Sequence, residues 1–526
     1  MSRDTQLESV PLEWRVAYEH DAAEATTLPD PAPERRASRM LAAYVLSGLA
    51  FFVLPGTFFG VWNLLTIASH HSAGGANPAW IQAHGQAQLL GWVGSFILGI
   101  SLYVLPKFRG RALKHFGLAW TVWVLWTAGV FLRWWAGIVP EGWRVALVAG
   151  AVLELAGYLL FQYIVLFAGR TKQSEQAHRK RPHDLGSWLG ITGFLALGVA
   201  LFLNLWIAVP LAWHGTSALY PLRSDHALVL IEVWGFALPV AWGYSTRFVT
   251  VFLGLQASSY RAWPWVCGGT AAIVALALAR RFELADALAV TVAGLAIWAI
   301  RVFRPSVKQA KRLDVYGGYP LFVRLSYLWL ATGAVIGIVA DFEPRWEGLG
   351  GASRHAITVG FIALFIFALA PRILPTFLNG RELFSTRLMA ASLWSLTIGC
   401  LARVTSEAVA YSTHGIAWRI LPVSAYMEFA AVLLFSLNLV ATALSRIPAW
   451  LGTDEVNADL PLYWYVTSFP ELKAVLARAG LSTLNRAQDV PRSLSLGEAA
   501  KADDADLVTV ISTVRSFFAS RQPKRR

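Results

Sequence analysis

The chain has 526 residues, of which 56% are hydrophobic and only 15% charged, with a mean hydropathy of +0.50 and a net charge of +13. A soluble protein of this size carries nearer a quarter charged residues and breaks its apolar runs, so the composition excludes an ordinary soluble enzyme and points to repeated bilayer crossings. Both cysteines, Cys267 and Cys400, lie inside apolar runs, which argues against a disulfide framework or thiolate cluster, and no zinc-finger, phosphate-loop or basic-aromatic pattern points to nucleic acid.

Residues 1–38 are polar, with Pro29, Pro31 and Pro33 ahead of "PERRASR", and lack the basic-then-apolar form of a cleaved signal peptide. A membrane domain over 39–445 follows. Its twelve apolar runs are expected at 40–66, 85–105, 114–136, 145–168, 186–210, 227–252, 263–279, 284–303, 321–340, 356–375, 388–410 and 423–445. Basic residues collect in alternate loops. Lys107, Arg109, Arg111 and Lys114 follow the second run, and Arg170, Lys172, Arg179, Lys180 and Arg181 the fourth. Arg301, Arg304, Lys308, Lys311 and Arg312 follow the eighth, and Arg372, Arg381 and Arg387 surround the end of the tenth. The positive-inside bias therefore places both termini in the cytoplasm, with "RRFE" after the seventh run against the trend.

Three stretches repeat one arrangement: "HGQAQLLGWVGSFILGISLYVLPKFRG" from His84, "HALVLIEVWGFALPVAWGYSTRFVTVFLG" from His226 and "HAITVGFIALFIFALAPRILPTFLNG" from His355. Each opens on histidine and a small residue, crosses one apolar helix and ends in "FRG", "FLG" or "FLNG". They open the second, sixth and tenth runs, so the chain reads as three four-helix units, all-α, with the three histidines at a common depth near the outer boundary. One histidine at a helix mouth is an ordinary polar cap. Recurrence favours ligands, because ionisable groups in a membrane usually face an interior, and neutral imidazole binds haem iron and copper.

The remaining histidines carry less. His70 and His71 are adjacent at the outer side and read as a solvated loop or a minor metal site, with His214 and His414 on the same side. His20, His115, His178 and His183 fall on the cytoplasmic side as surface residues. Glu154, Glu407 and Glu428 lie within apolar runs, where a polar path, paired ions or helix–helix hydrogen bonding would each place them. Tyr244 and Arg247 read as structural or interfacial.

Twelve helices in three fours, with histidines opening the second, sixth and tenth, resemble subunit I of the haem-copper oxidases and nitric oxide reductases. "WIQAHGQAQLLGWVGSF" and "RHAITVGFIALFIFALAPRILP" are most similar to the NnrS family, membrane proteins linked to haem, copper and relief from nitric oxide stress. The resemblance covers about residues 40–445. It implies that His84 and His355 ligate a low-spin haem, b-type, that Arg354 pairs with a haem propionate, and that copper is a further candidate cofactor. The setting it implies is a bacterial inner membrane. The gaseous ligand would be nitric oxide, and the electron donor is unidentified.

The departures are specific. The seventh run, "WVCGGTAAIVALALA", has no histidine, the tenth offers one, and His226 stands six residues before Glu232. An oxygen-reducing haem-copper centre is therefore not expected. His226 and Glu232 remain candidates for a second, catalytic ligand-binding site, although six helical residues turn through about 600° and leave the two about 120° apart.

The chain ends in a cytoplasmic domain, 446–526, beginning "SRIPAWLGTDEVNADL" just before its start and resembling small helical domains of some iron-sulfur and nitrosative-stress repair proteins. "FPELKAVLARAG" reads as a helix ended by Gly480, and "SLSLGEAAKADDADLVTVISTVRSFF" as a second piece opened by a serine cap and an early acid. Having no Cys or His, this domain is not expected to bind a metal. The function expected of the whole is a haem-containing protein of nitric oxide metabolism or nitrosative-stress defence. The alternatives are a transporter using the same histidines, or a haem or copper assembly factor.

Overall fold

A computed structural model describes residues 32–445 except 109–112, 114, 168–184, 313, 344, 379–380 and 414, and parts of the chain between 456 and 519. The stretch 1–31, most basic residues after the second and fourth runs, and His20, His178, His183 and His414 lie outside the described residues. The described regular elements are all helices. Eleven are long and apolar enough to cross a bilayer: α1 Arg35–His70, α2 Pro78–Pro106, α3 Phe116–Ile138, α4 Trp143–Leu166, α5 Trp188–His214 and α6 Leu222–Phe252, then α8 Phe282–Ile300, α9 Tyr319–Phe342, α10 Leu349–Phe377, α11 Thr386–Ser412 and α12 Ala417–Leu444. Between α6 and α8 runs α7, Trp263–Leu278, at the position of the seventh expected run. Its 16 residues span about 24 Å, short of a hydrocarbon core of about 30 Å. The chain is thus an all-α, multi-pass membrane protein with eleven helices of spanning length among its described residues, where twelve were expected.

Burial separates two classes of helix. In the most apolar stretch of α2, α6 and α10, 78%, 83% and 78% of residues are buried, against 33–50% in the other spanning helices. Helices apolar on every face pack inside, whereas partly buried ones turn their outer side to lipid. The three histidine-bearing helices are therefore the inner ones. Around them α3 packs on α4, α7 on α8 and α11 on α12 as neighbouring pairs, and α12 closes against the C-terminal half of α1.

Within α1, α2, α6 and α10 the backbone loosens into π-helix, at Phe52–Phe58, Ala87–Gly94, Ile231–Ala237 and Ala356–Ala363. The fifth residue of every one is glycine: "FVLPG", "AQLLG", "IEVWG" and "AITVG". π-Turns are rare and concentrate at functional sites. His84, His226 and His355 stand seven, nine and five residues before their helix's π-glycine, so the shared register belongs to the π segment rather than to the imidazole.

After α12, three short helices, α13 Pro470–Arg478, α14 Leu496–Ala502 and α15 Leu507–Ala519, share a core of Leu472, Leu476, Leu496, Val510 and Val514. The second expected piece is two helices. Asp504 adopts a left-handed φ of 52°, and Asp506 accepts bonds from the amides of Val508 and Thr509, opening α15 afresh. Ser495 and Glu498 form a reciprocal cap at the start of α14.

Candidate functional site

The first imidazole is set by the start of α2. Asn77 caps the helix by accepting from the Ala79 amide at 2.9 Å, Pro78 takes the first turn, and His84 follows less than two turns on. Its Nδ1 lies 2.8 Å from the Gly56 carbonyl, the π-glycine of α1. A carbonyl only accepts, so Nδ1 carries the proton and Nε2 holds the free lone pair. The ring lies on Gly60, where a β-carbon would sit 2.8 Å from Nδ1.

His355 reaches the same state by other means. Its Nδ1 bonds the Gly351 carbonyl at 3.1 Å, and Glu407 Oε2 lies 3.4 Å from the same nitrogen without a hydrogen bond. Arg403, one turn before Glu407 on α11, donates from Nη2 to Glu407 Oε1 at 3.2 Å. The buried Nε and Nη1 of Arg403 have no hydrogen-bond partner among the described residues. The Arg403 charge acts on both His84 and His355, and the two imidazoles act on each other. The structure thus brings the half-buried His84 and His355 together with the buried Arg403 and Glu407. Deeper along the same helices an aromatic layer closes the interior: Phe52 stacks on Trp92 at 3.5 Å, Phe367 on Phe435 at 3.9 Å, and Phe52 meets Phe367 edge-on at 6.0 Å.

His226 belongs elsewhere. Its ring stacks on Phe282 of α8 at 4.4 Å and 12°, and it lines a cavity of about 110 Å³ with Trp234, Asp286, Asp341, Ser353 and Arg354. Asp286 and Asp341 face each other there within hydrogen-bonding reach. Arg354 is exposed, and its charge acts on His226, His355 and Asp225. Glu232 is not among the residues lining that cavity. It is buried in the π segment of α6 within the field of Glu154 and Arg133, and its Oε1 has no partner among the described residues. His226 and Glu232 therefore do not share a site.

The Glu232 side of α6 meets a second polar chain. The Arg133 guanidinium lies 4.1 Å from the Tyr220 ring centre, Tyr220 donates its hydroxyl to Asn204 Oδ1 at 2.6 Å, and Asn204 Nδ2 donates to Glu154 Oε2 at 3.0 Å. Gln82 of α2 clamps the Tyr220 backbone from both sides, at 3.0 and 2.9 Å. Burial pushes the Tyr220 hydroxyl up to about 12, so it remains a neutral donor.

Sequence reasoning singled out Glu154 and Glu407 as carboxylates in apolar runs but missed their partners. Arg403 could have been found at helical spacing from Glu407. Asn204 and Tyr220 carry no such local signal. His70 and His71 finish α1 instead of converging: His70 Nδ1 bonds the Thr66 carbonyl at 2.8 Å, and His71 adopts a φ of 51° and stacks on Trp418 at 5.1 Å. Tyr244 bonds Ser101 at 2.7 Å, tying α6 to α2. Among the described residues, no group of three or more His, Cys, Asp or Glu side chains is arranged to hold a metal ion.

A family described as a domain of unknown function (DUF8744) matches residues 309–444, the stretch carrying α9 to α12. No curated protein matches the chain. Among solved structures, a chain of a haem-copper terminal oxidase dimer is similar with a TM-score of 0.63 and 14% sequence identity, covering 91% of this chain and 99% of that one. At that identity the likeness shows the fold alone.

Proposed function

We propose that this chain is a haem-binding redox protein of a bacterial inner membrane, both termini cytoplasmic, acting in nitric oxide metabolism or nitrosative-stress defence. The observation that carries the haem reading is the shared state of His84 and His355. Two neighbouring imidazoles on inner helices each have Nδ1 held by an acceptor, which leaves Nε2 of both free to ligate. This donor set suits haem iron, and a b-type haem needs no covalent attachment. His84 and His355 would hold the iron, and the exposed Arg354 beside His355 would meet an acidic edge group of the ring. A haem held by these two residues would supply one-electron transfer.

The chain's own residues do the rest. The aromatic layer below excludes water, and the acceptors at Nδ1 fix both ring orientations. Gas handling is assigned to the cavity at His226, which admits a diatomic molecule and is smaller than the 300–1,000 Å³ or so of pockets for larger ligands. Nitric oxide as that gas rests on the sequence likeness to the NnrS family. Copper, which that likeness also implies, finds no three-ligand set among the described residues, and no step is assigned to it. The position of His70 and His71 at a helix end gives an assembly factor no outer metal site.

The test is a visible spectrum of detergent-purified protein from haem-replete cells, oxidised and dithionite-reduced, with pyridine haemochrome and iron analysis. Sharp reduced low-spin bands, lost in H84A and in H355A and kept in H226A, are expected. A colourless, iron-free preparation would overturn the reading. Spectral change on adding nitric oxide that is the same in H226A and the wild type would remove the gas site from α6.

A further inference from the structure

The two imidazoles are not equivalent, and the difference is built by α11. His84 gives its Nδ1 proton to a neutral carbonyl, that of Gly56. His355 gives its Nδ1 proton to the Gly351 carbonyl, and the Glu407 carboxylate stands 3.4 Å from the same nitrogen. From this we infer that Glu407, held by Arg403, is a positioning residue that makes His355 the more electron-donating ligand and lowers the reduction potential of the iron. The inference rests on the bis-imidazole reading of His84 and His355.

The chemistry is general. A negative charge beside the far nitrogen of a ligating imidazole raises the basicity of the near one, and charges and hydrogen bonds around the ligands are a principal control on haem potential. More electron density at iron favours the ferric state. A carbonyl dipole acts in the same sense with less charge, so the two axial ligands are graded.

The surroundings are arranged for this contact. Gly348 and Gly351 stand where α11 comes closest to α10, and a β-carbon on Gly351 would collide with the Glu407 carboxylate. Glycine at 351 therefore lets the carboxylate lie over the first turn of α10 and reach the ring. A lone buried carboxylate is costly, and Arg403 compensates it from one helical turn away at 3.2 Å. The bond goes to Oε1, leaving Oε2 turned toward His355. Glu428 of α12 and Arg354 add their charges at longer range.

A carboxylate placed only to neutralise Arg403 would leave the iron indifferent to its charge. The experiment is a spectroelectrochemical titration of haem-loaded full-length protein, comparing wild type, E407Q, E407D and G351A at matched haem content. E407Q keeps the shape and an oxygen for Arg403 but loses the charge. Its midpoint should rise, with each tenfold loss of ferric preference reading as about 59 mV. E407D should fall between E407Q and wild type. G351A keeps the charge but displaces the carboxylate, so its midpoint should rise as well.

A midpoint unchanged in E407Q with haem retained would overturn the inference while leaving the bis-imidazole reading intact. A colourless wild type would overturn that reading instead. Should E407Q fail to retain haem, G351A reads the same quantity. Should both fail, nitrogen hyperfine couplings of the ferric wild type decide: two equal axial imidazoles overturn the inference, and two unequal ones support it.

Discussion

Tyr220 and Asn204 are joined by a 2.6 Å hydrogen bond that ends a buried chain, with Asn204 passing a 3.0 Å bond on to Glu154. Asn204 satisfies a donor and an acceptor at once, with the two ends of its amide. N204A should leave Glu154 Oε2 unmet, at about 1–3 kcal/mol, and reduce the Tyr220 hydroxyl to its 3.4 Å bond with the backbone carbonyl of residue 204. The thermal midpoint in detergent should fall. In a Y220F background the same substitution should cost less, because the Tyr220 hydroxyl is already gone. Equal costs in both backgrounds would show that the chain is not coupled.

Gly60 and Gly85 make a paired test of the His84 pocket. A β-carbon at Gly60 meets the imidazole, whereas one at Gly85 meets nothing within 4 Å. G60A should displace the ring, strain the site by about 1–3 kcal/mol and lower the haem-to-protein ratio. G85A should leave the ratio at its wild-type value. Helix content by circular dichroism should be unchanged in both.

The C-terminal domain is tied to the C-terminal end of α10 by a 3.0 Å bond between Tyr463 and Thr376 hydroxyls. Y463F removes it at a cost of about 0.5–1.5 kcal/mol. Limited proteolysis should then release the C-terminal domain faster, while the visible spectrum stays constant. A spectrum that moves with Y463F would mean that the domain reaches the haem site.

Asp506 supplies a pH test. Its bonds to the Thr509 hydroxyl and amide and to the Val508 amide hold its carboxyl below the usual range. A folded pKa below the unfolded one gives stabilisation that is complete above the unfolded value, near 4, and is lost as pH falls through the folded one. Amide protection factors in the first turn of α15 should therefore drop on acidification in the wild type. D506A should show the lower protection already at neutral pH and change little on acidification.

Much of the fold was legible in the sequence, because bilayer thickness fixes the length of an apolar run. The ninth run, expected at 321–340, is the helix Tyr319–Phe342. The seventh, expected at 263–279, is the helix Trp263–Leu278, so its short length was legible as well, and it was counted as a crossing although its 16 residues fall short of one. The π segments left no trace in hydropathy, which does not register whether an amide bonds four residues back or five. Only with the backbone visible do "FVLPG", "AQLLG", "IEVWG" and "AITVG" align on their glycines. The same loosening defeats rotation estimates such as that for His226 and Glu232, which assume an ideal helix. Histidine at a helix mouth was visible. What faces its Nδ1 was not, because Gly56 and Glu407 lie 28 residues before His84 and 52 residues after His355.

The polar chain through Arg133, Glu154, Asn204 and Tyr220 also bears on how the protein is made. Arg133 and Glu154 sit on α3 and α4, which are joined by the short turn at 139–142, so a ribosome delivers both to the translocon almost together. An arginine and a glutamate that enter the bilayer as one hairpin stand in each other's field before any later partner exists. Asn204 emerges 50 residues after Glu154, and Tyr220 16 residues later still. Synthesis therefore supplies the two opposite charges first and the neutral hydrogen-bonding groups afterwards.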